Sequence, residues 1–171
     1  NSYLSDDGGG MGWNGDPDLN DALGLSNTFN ATVLEFDFIP LGNRISFDYI
    51  FSSEQYLSNP SANQCNFTDG FAFLLKEASA TSYDNLAVIP GTNTPVKVNT
   101  VRGPGTICPP ANAAYFDAFN GTIHPTNFNG QTTVLTAQSD VIPGQTYHIK
   151  LVIADEGNYR YDSAIFLKGG S

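Results

Sequence analysis

Thr32-Val33-Leu34-Glu35-Phe36-Asp37-Phe38-Ile39 alternates in period two, with Val33, Glu35 and Asp37 on one face and Leu34, Phe36 and Phe38 on the other. Pro40-Leu41-Gly42-Asn43 turns the chain. Arg44-Ile45-Ser46-Phe47-Asp48-Tyr49-Ile50-Phe51 then resumes the alternation, with Ile45, Phe47, Tyr49 and Phe51 together. Two β-rich runs joined by a Pro/Gly/Asn break read as strands.

The same texture continues outward. Asp69-Gly70-Phe71-Ala72-Phe73-Leu74-Leu75 is apolar throughout and reads as a central strand. Shorter candidates are Leu86–Ile89, Val96–Val101 and Thr132–Ala137. Pro143-Gly144 precedes a long one, Thr146–Ala154, and Ser163–Lys168 is the last. Residues 1–30, with Gly8-Gly9-Gly10 and Asp16-Pro17-Asp18-Leu19-Asn20-Asp21, read as a loop-rich segment packed on the domain. No stretch shows helical periodicity of useful length, and there is no repeat or linker. The expectation is one domain over 1–171: an all-β, two-sheet antiparallel sandwich of the lectin-like jelly-roll kind, with long loops.

Composition agrees. The chain is 40% hydrophobic and 14% charged, too apolar for disorder and too poor in Lys, Glu, Leu and Arg for a helical protein. The 17 acids against 7 bases give a net charge of −10. Nucleic acid is a poor partner for such a surface, because phosphate binding needs cations. An anionic membrane is equally unsuited, and no stretch is long enough to span a bilayer. The chain opens with no signal-like segment and reads as a mature form or a piece of something larger. Cys65 and Cys108 lie in polar or Pro-rich loop sequence, which points to one disulfide in an oxidising compartment.

Three acidic clusters fall at strand ends: Glu54 after Phe51, Asp69 before Gly70, and Asp155 to Asp162 between the last two strands. Calcium takes six to eight oxygens from carboxylates, amides, carbonyls and water, and loops at one end of a sandwich can gather them. Glu54, Asp69, Asp155 and Asp162 are the candidate calcium ligands, with the Asn158 amide beside them. Asp16 and Asp18 form a looser candidate; the Gly and distal Glu of an EF-hand are missing there. The competing reading for each acid is a turn cap.

Phe47-Asp48-Tyr49-Ile50-Phe51-Ser52-Ser53-Glu54-Gln55-Tyr56 resembles the F-x-Y-x-F-x-S-E-E-Y hallmark of the choice-of-anchor L domain, a family of secreted and surface proteins of bacteria. Asp69–Leu74, Asn129–Ala137, Tyr147–Asp155 and Tyr161–Leu167 resemble its further motifs, in order. Gln55, Asn129 and Asn158 stand where the family often has acids, which softens the ligand set. The resemblance implies an extracellular domain on anchored or secreted proteins. A shorter likeness, Asp69-Gly70-Phe71-Ala72-Phe73, is to legume-type lectin strands.

Aromatic rings stack on the C–H faces of sugars while acids and amides take the hydroxyls. Trp13, Tyr56, Tyr115 and Tyr159 are the candidate ligand-binding rings, although Tyr56 also suits a plug at the end of the sandwich. An enzyme would need more. Glu35 and Asp37 resemble the start of the E-x-D-x-x-E motif of jelly-roll glycosidases, but Pro40 replaces the third acid. His124 and His148 have no nucleophile at a recognisable motif. The sequence therefore points to a non-catalytic, extracellular, calcium-dependent binding or adhesion domain. Its partner is a glycan or cell-surface polysaccharide, or else other domains of a larger surface protein through protein contacts. A jelly-roll glycoside hydrolase is the third reading.

Overall fold

A computed structural model describes residues 12–121 and 126–169; His124, Gly8-Gly9-Gly10 and the Thr of the sequon Asn120-Gly121-Thr122 lie outside the described residues. The strands are β1 (Thr28–Phe38), β2 (Arg44–Ser53), β3 (Gly70–Glu77), β4 (Asp84–Asn85), β5 (Phe116–Phe119), β6 (Gly130–Thr132), β7 (Leu135–Asp140), β8 (Tyr147–Glu156) and β9 (Ser163–Leu167), preceded by α1 (Pro17–Leu23). They form two antiparallel sheets packed as a sandwich. The first runs β1-β8-β3-β4. The second runs β5-β6-β2-β7, with β9 also on β2. Tyr49 pairs with both Leu135 and Leu167, and Ser52 with both Gln131 and Ala164, so β9 takes the edge of β2 opposite β6 and β7.

Alternation explains the core. Phe71, Phe73 and Leu75 of β3 meet Tyr49 and Phe51 of β2 between the sheets, with Ile149 of β8 beside them. The rings contact edge to face, as at Tyr49–Phe71 and Tyr49–Phe73, both 5.1 Å between centroids. The intervening residues Ala72 and Leu74, with Val152 and Ala154, face the other way and are buried too. That is why β3 reads as a continuous apolar run: it is covered on both faces.

The second cover is α1, and it corrects the reading of residues 1–30 as loop. Asp16 caps the helix by accepting from the Leu19 N–H at 3.0 Å. Pro17 opens it, and Gly24, at φ 65°, ends it in the left-handed region. Leu19 and Leu23 seat on Ala72, Leu74, Val152 and Ala154. Seven residues are too few to show a helical period.

Two further expectations shift. Leu86–Ile89 and Val96–Val101 are not ladder strands. They make the isolated bridges Val88–Pro95 and Gly70–Lys97, and their apolar side chains fill the core. The run Thr132–Ala137 divides between β6 and β7, which pair with different parts of β2. Cys65 and Cys108 form a disulfide, with Cα atoms 5.2 Å apart, that ties the β2–β3 loop to the segment between β4 and β5. No helix among the described residues is long and apolar enough to cross a membrane.

Candidate functional site

The site begins with an irregularity in β1. Phe29 pairs with Asp155 and Thr32 with Ile153, so Asn30 and Ala31 together oppose Ala154 alone. Such a bulge kinks the strand and re-aims a side chain. Asn30 sits at φ 55°, a conformation that Asn tolerates better than most residues. Its amide Nδ2 donates to Asp155 Oδ2 at 3.3 Å, and its Oδ1 accepts from the Trp13 N–H at 2.9 Å. The Asn30 N–H donates back to the Trp13 carbonyl at 3.0 Å.

Trp13 is thereby fixed although 54% exposed. Its indole Nε1 donates to the Ala31 carbonyl at 2.9 Å. Gly12 leaves room for this arrangement: a Cβ there would lie 2.9 Å from Asn30 Oδ1 and push on that amide. Trp13, Asn30, Phe128, Asp155, Asp162 and Ser163 line an open cleft of about 530 Å³. Of the rings named from sequence, Trp13 lines this cleft and Tyr159 lies close by. Tyr56 does neither. It is fully buried against Phe51 and Phe116, and its hydroxyl donates to the Val101 carbonyl at 2.9 Å. Tyr115 packs against the main core and is not among the residues lining the cleft.

The acids divide into three groups. Asp155 and Asp162 line the cleft. Glu54 and Asp69 lie buried. Asp69 Oδ1 accepts from the Glu156 N–H at 3.0 Å, and its Oδ2 is 3.3 Å from Ser163 Oγ. Burial, reinforced by the Asp155 charge, pushes the Asp69 carboxyl well above the ordinary range. Glu54 is 1% exposed. Its main-chain N–H donates to the Asp162 carbonyl at 2.9 Å, and its carbonyl accepts from Asn129 Nδ2 at 2.6 Å. Its Oε1 has no hydrogen-bond partner among the described residues. Burial, with the Asp162 charge adding to it, pushes the Glu54 carboxyl up to about 7.

The third group, Asp16 and Asp18, serves an ammonium. Lys150 Nζ lies 2.6 Å from Asp16 Oδ2 and 2.7 Å from Asp18 Oδ2, beneath α1. Burial alone would lower the Lys150 pKa, but these hydrogen bonds and charges outweigh it and raise it. Among the described residues, no group of three or more His, Cys, Asp or Glu side chains is placed to hold a metal ion. Asn158 closes its own loop, its Oδ1 accepting from the Arg160 N–H at 2.8 Å. Glu35 and Asp37 flank His148 across the strand pair, at 3.7 and 2.6 Å.

Asn30 and Phe128 were not singled out by sequence reasoning as site residues. Asn30 opens the sequon Asn30-Ala31-Thr32, and Phe128 falls between β5 and β6; neither pattern by itself marks a binding residue. The model of the choice-of-anchor L domain matches residues 1–171. No curated protein and no solved structure matches the chain.

Proposed function

Since the chain belongs to the choice-of-anchor L domain family, we propose that it is a non-catalytic adhesion module that binds carbohydrate in the cleft beside Trp13. The family and the Cys65–Cys108 disulfide both suggest a secreted or surface-anchored protein. The carrying observation is Trp13: a half-exposed residue whose main chain makes two hydrogen bonds with Asn30 and whose indole Nε1 donates to the Ala31 carbonyl, next to Asp155, Asp162 and the Asn30 amide. An immobilised ring binds a sugar face without a large ordering cost, and the carboxylates beside it accept hydroxyl hydrogens. The test is a glycan array with the wild-type chain and Trp13→Ala. A signal that Trp13→Ala abolishes supports the reading, and a signal indifferent to it removes the cleft from consideration.

A calcium-assisted form of this module is the second reading. It is favoured by Glu54, whose buried Oε1 meets no partner among the described residues and which feels the Asp162 charge. A cation there would relieve both desolvation and repulsion. Thermal melts with chelator and with added calcium test it. No shift in either direction rejects it.

A further inference from the structure

We propose that the outer edge of β1, from Thr32 to Phe38, takes up an extended segment of another polypeptide as an added strand, and that this segment alternates aliphatic with basic residues. This inference is independent of the glycan reading.

β1 closes one side of the first sheet, and β9 closes the same side of the second. The start of β1 is already covered, since Asn14 bridges Phe29 and the Asn30 and Ala31 N–H groups donate to Trp13 and Asn14 carbonyls. From Thr32 onward, β1 pairs only with β8 among the described residues. An edge with no further strand among the described residues is a template for strand addition.

The two faces of that edge differ. Residues directly opposite on paired strands share a face. Leu34 lies opposite Leu151 and Phe36 opposite Ile149, so both belong to the inter-sheet face. Yet Leu34 is 57% and Phe36 45% exposed, because the second sheet stops at β9. An apolar cleft of about 370 Å³ opens there between Leu34, Leu151 and Ile153 on one side and Ile165 and Leu167 on the other. A strand laid beside β1 would set its inward side chains over this cleft.

The outward face carries Glu35 and Asp37, opposite Lys150 and His148. Lys150 is held by Asp16 and Asp18, so the cross-strand neighbour of both acids is the His148 ring. The outward residues of an added strand would therefore meet carboxylates, and Lys or Arg fits them. The same acids argue against a second copy of this chain. Antiparallel self-pairing centred on this stretch would bring the Glu35 and Asp37 carboxylates of two molecules, each of charge −10, together.

The test uses a short fluorescent peptide of alternating valine and lysine, with two controls: alternating valine and glutamate, and alternating proline and lysine. Proline keeps the charge, removes every second main-chain donor and fixes φ outside the strand range. At physiological salt, the valine–lysine peptide is expected to bind saturably and each control about tenfold more weakly or worse. Leu34→Lys should weaken binding by a similar factor, while Ile142→Lys, an exposed apolar site elsewhere, leaves it unchanged. The double variant Glu35→Lys/Asp37→Lys should lose the valine–lysine peptide and gain the valine–glutamate one, which misfolding would not produce. Equal binding of the proline–lysine peptide would reduce the interaction to net charge. Equal binding by Leu34→Lys, no binding at all, or a wild-type dimer that Leu34→Lys dissociates would each overturn the proposal.

Discussion

Lys150 Nζ and Asp16 Oδ2 are 2.6 Å apart, and that ion pair fastens a helix to the outer face of a sheet. Lys150 belongs to β8 and Asp16 caps α1, so one carboxylate holds a lysine with one oxygen and the Leu19 N–H with the other. Removing Asp16 deprives the helix of its cap and leaves the buried ammonium to Asp18 alone. Asp16→Ala is expected to cost about 2–4 kcal/mol in denaturant unfolding. Lys150→Met should cost less, because it removes the charge along with its need for a partner. The reverse order would show that the pair is not what holds α1 down.

Glu54 gives stability a pH dependence. Its carboxyl titrates near 7 in the fold, against 4.5 ordinarily. Between those values the unfolded chain releases the proton that the fold retains. The stability due to neutral Glu54 is therefore complete below about pH 4.5 and lost as pH rises through about 7. Asp69, also raised, acts in the same direction. Glu54→Gln should flatten this fall and stabilise the neutral-pH protein by roughly 1–3 kcal/mol. On the calcium reading proposed above, added calcium should substitute for the proton in wild type but not in the variant. A pH profile unaltered by the substitution would contradict the assignment.

The disulfide spans a sequence separation of 43 residues. Closing a loop of that length restricts the unfolded chain, and full reduction should cost about 4 kcal/mol on the chain-entropy scale. The check is the unfolding midpoint of protein whose two thiols have been confirmed free by titration. An unchanged midpoint would mean that the β2–β3 loop and the β4–β5 segment hold together without the bond.

Much of this architecture is readable in the sequence because β2, β3 and β8 repeat side chains at the strand period, and Phe71, Phe73 and Tyr49 land where alternation places them. The helix was harder. Its cap Asp16, its Pro17 and its Gly24 are all visible, but Asp16 and Asp18 resemble cation ligands equally well until Lys150 is brought beneath them from β8. Leu86–Ile89 and Val96–Val101 show the opposite failure: apolar alternation arises wherever a loop fills a core. Trp13, Asp155 and Asp162 are legible in the sequence as candidates, and the fold brings them to one cleft. Asn30 could not, since its role depends on a bulge, and a bulge is a mismatch between two strands distant in sequence.

Trp13 is the sole tryptophan, so its fluorescence reports on the cleft directly. Asn30 positions it through a backbone conformation with positive φ, and glycine accepts that conformation. Asn30→Gly therefore removes the side-chain hydrogen bonds to Trp13 and Asp155 without forcing the backbone. The variant should stay folded, within about 1 kcal/mol of wild type, while acrylamide quenches Trp13 more readily. Any sugar found on the array should protect Trp13 from quenching in wild type and bind the variant about tenfold more weakly. Because Asn30→Gly leaves the indole itself in place, weaker binding would measure the value of holding the ring rather than of having it. Undiminished binding by a variant with a loosened Trp13 would show that the ring is not the platform.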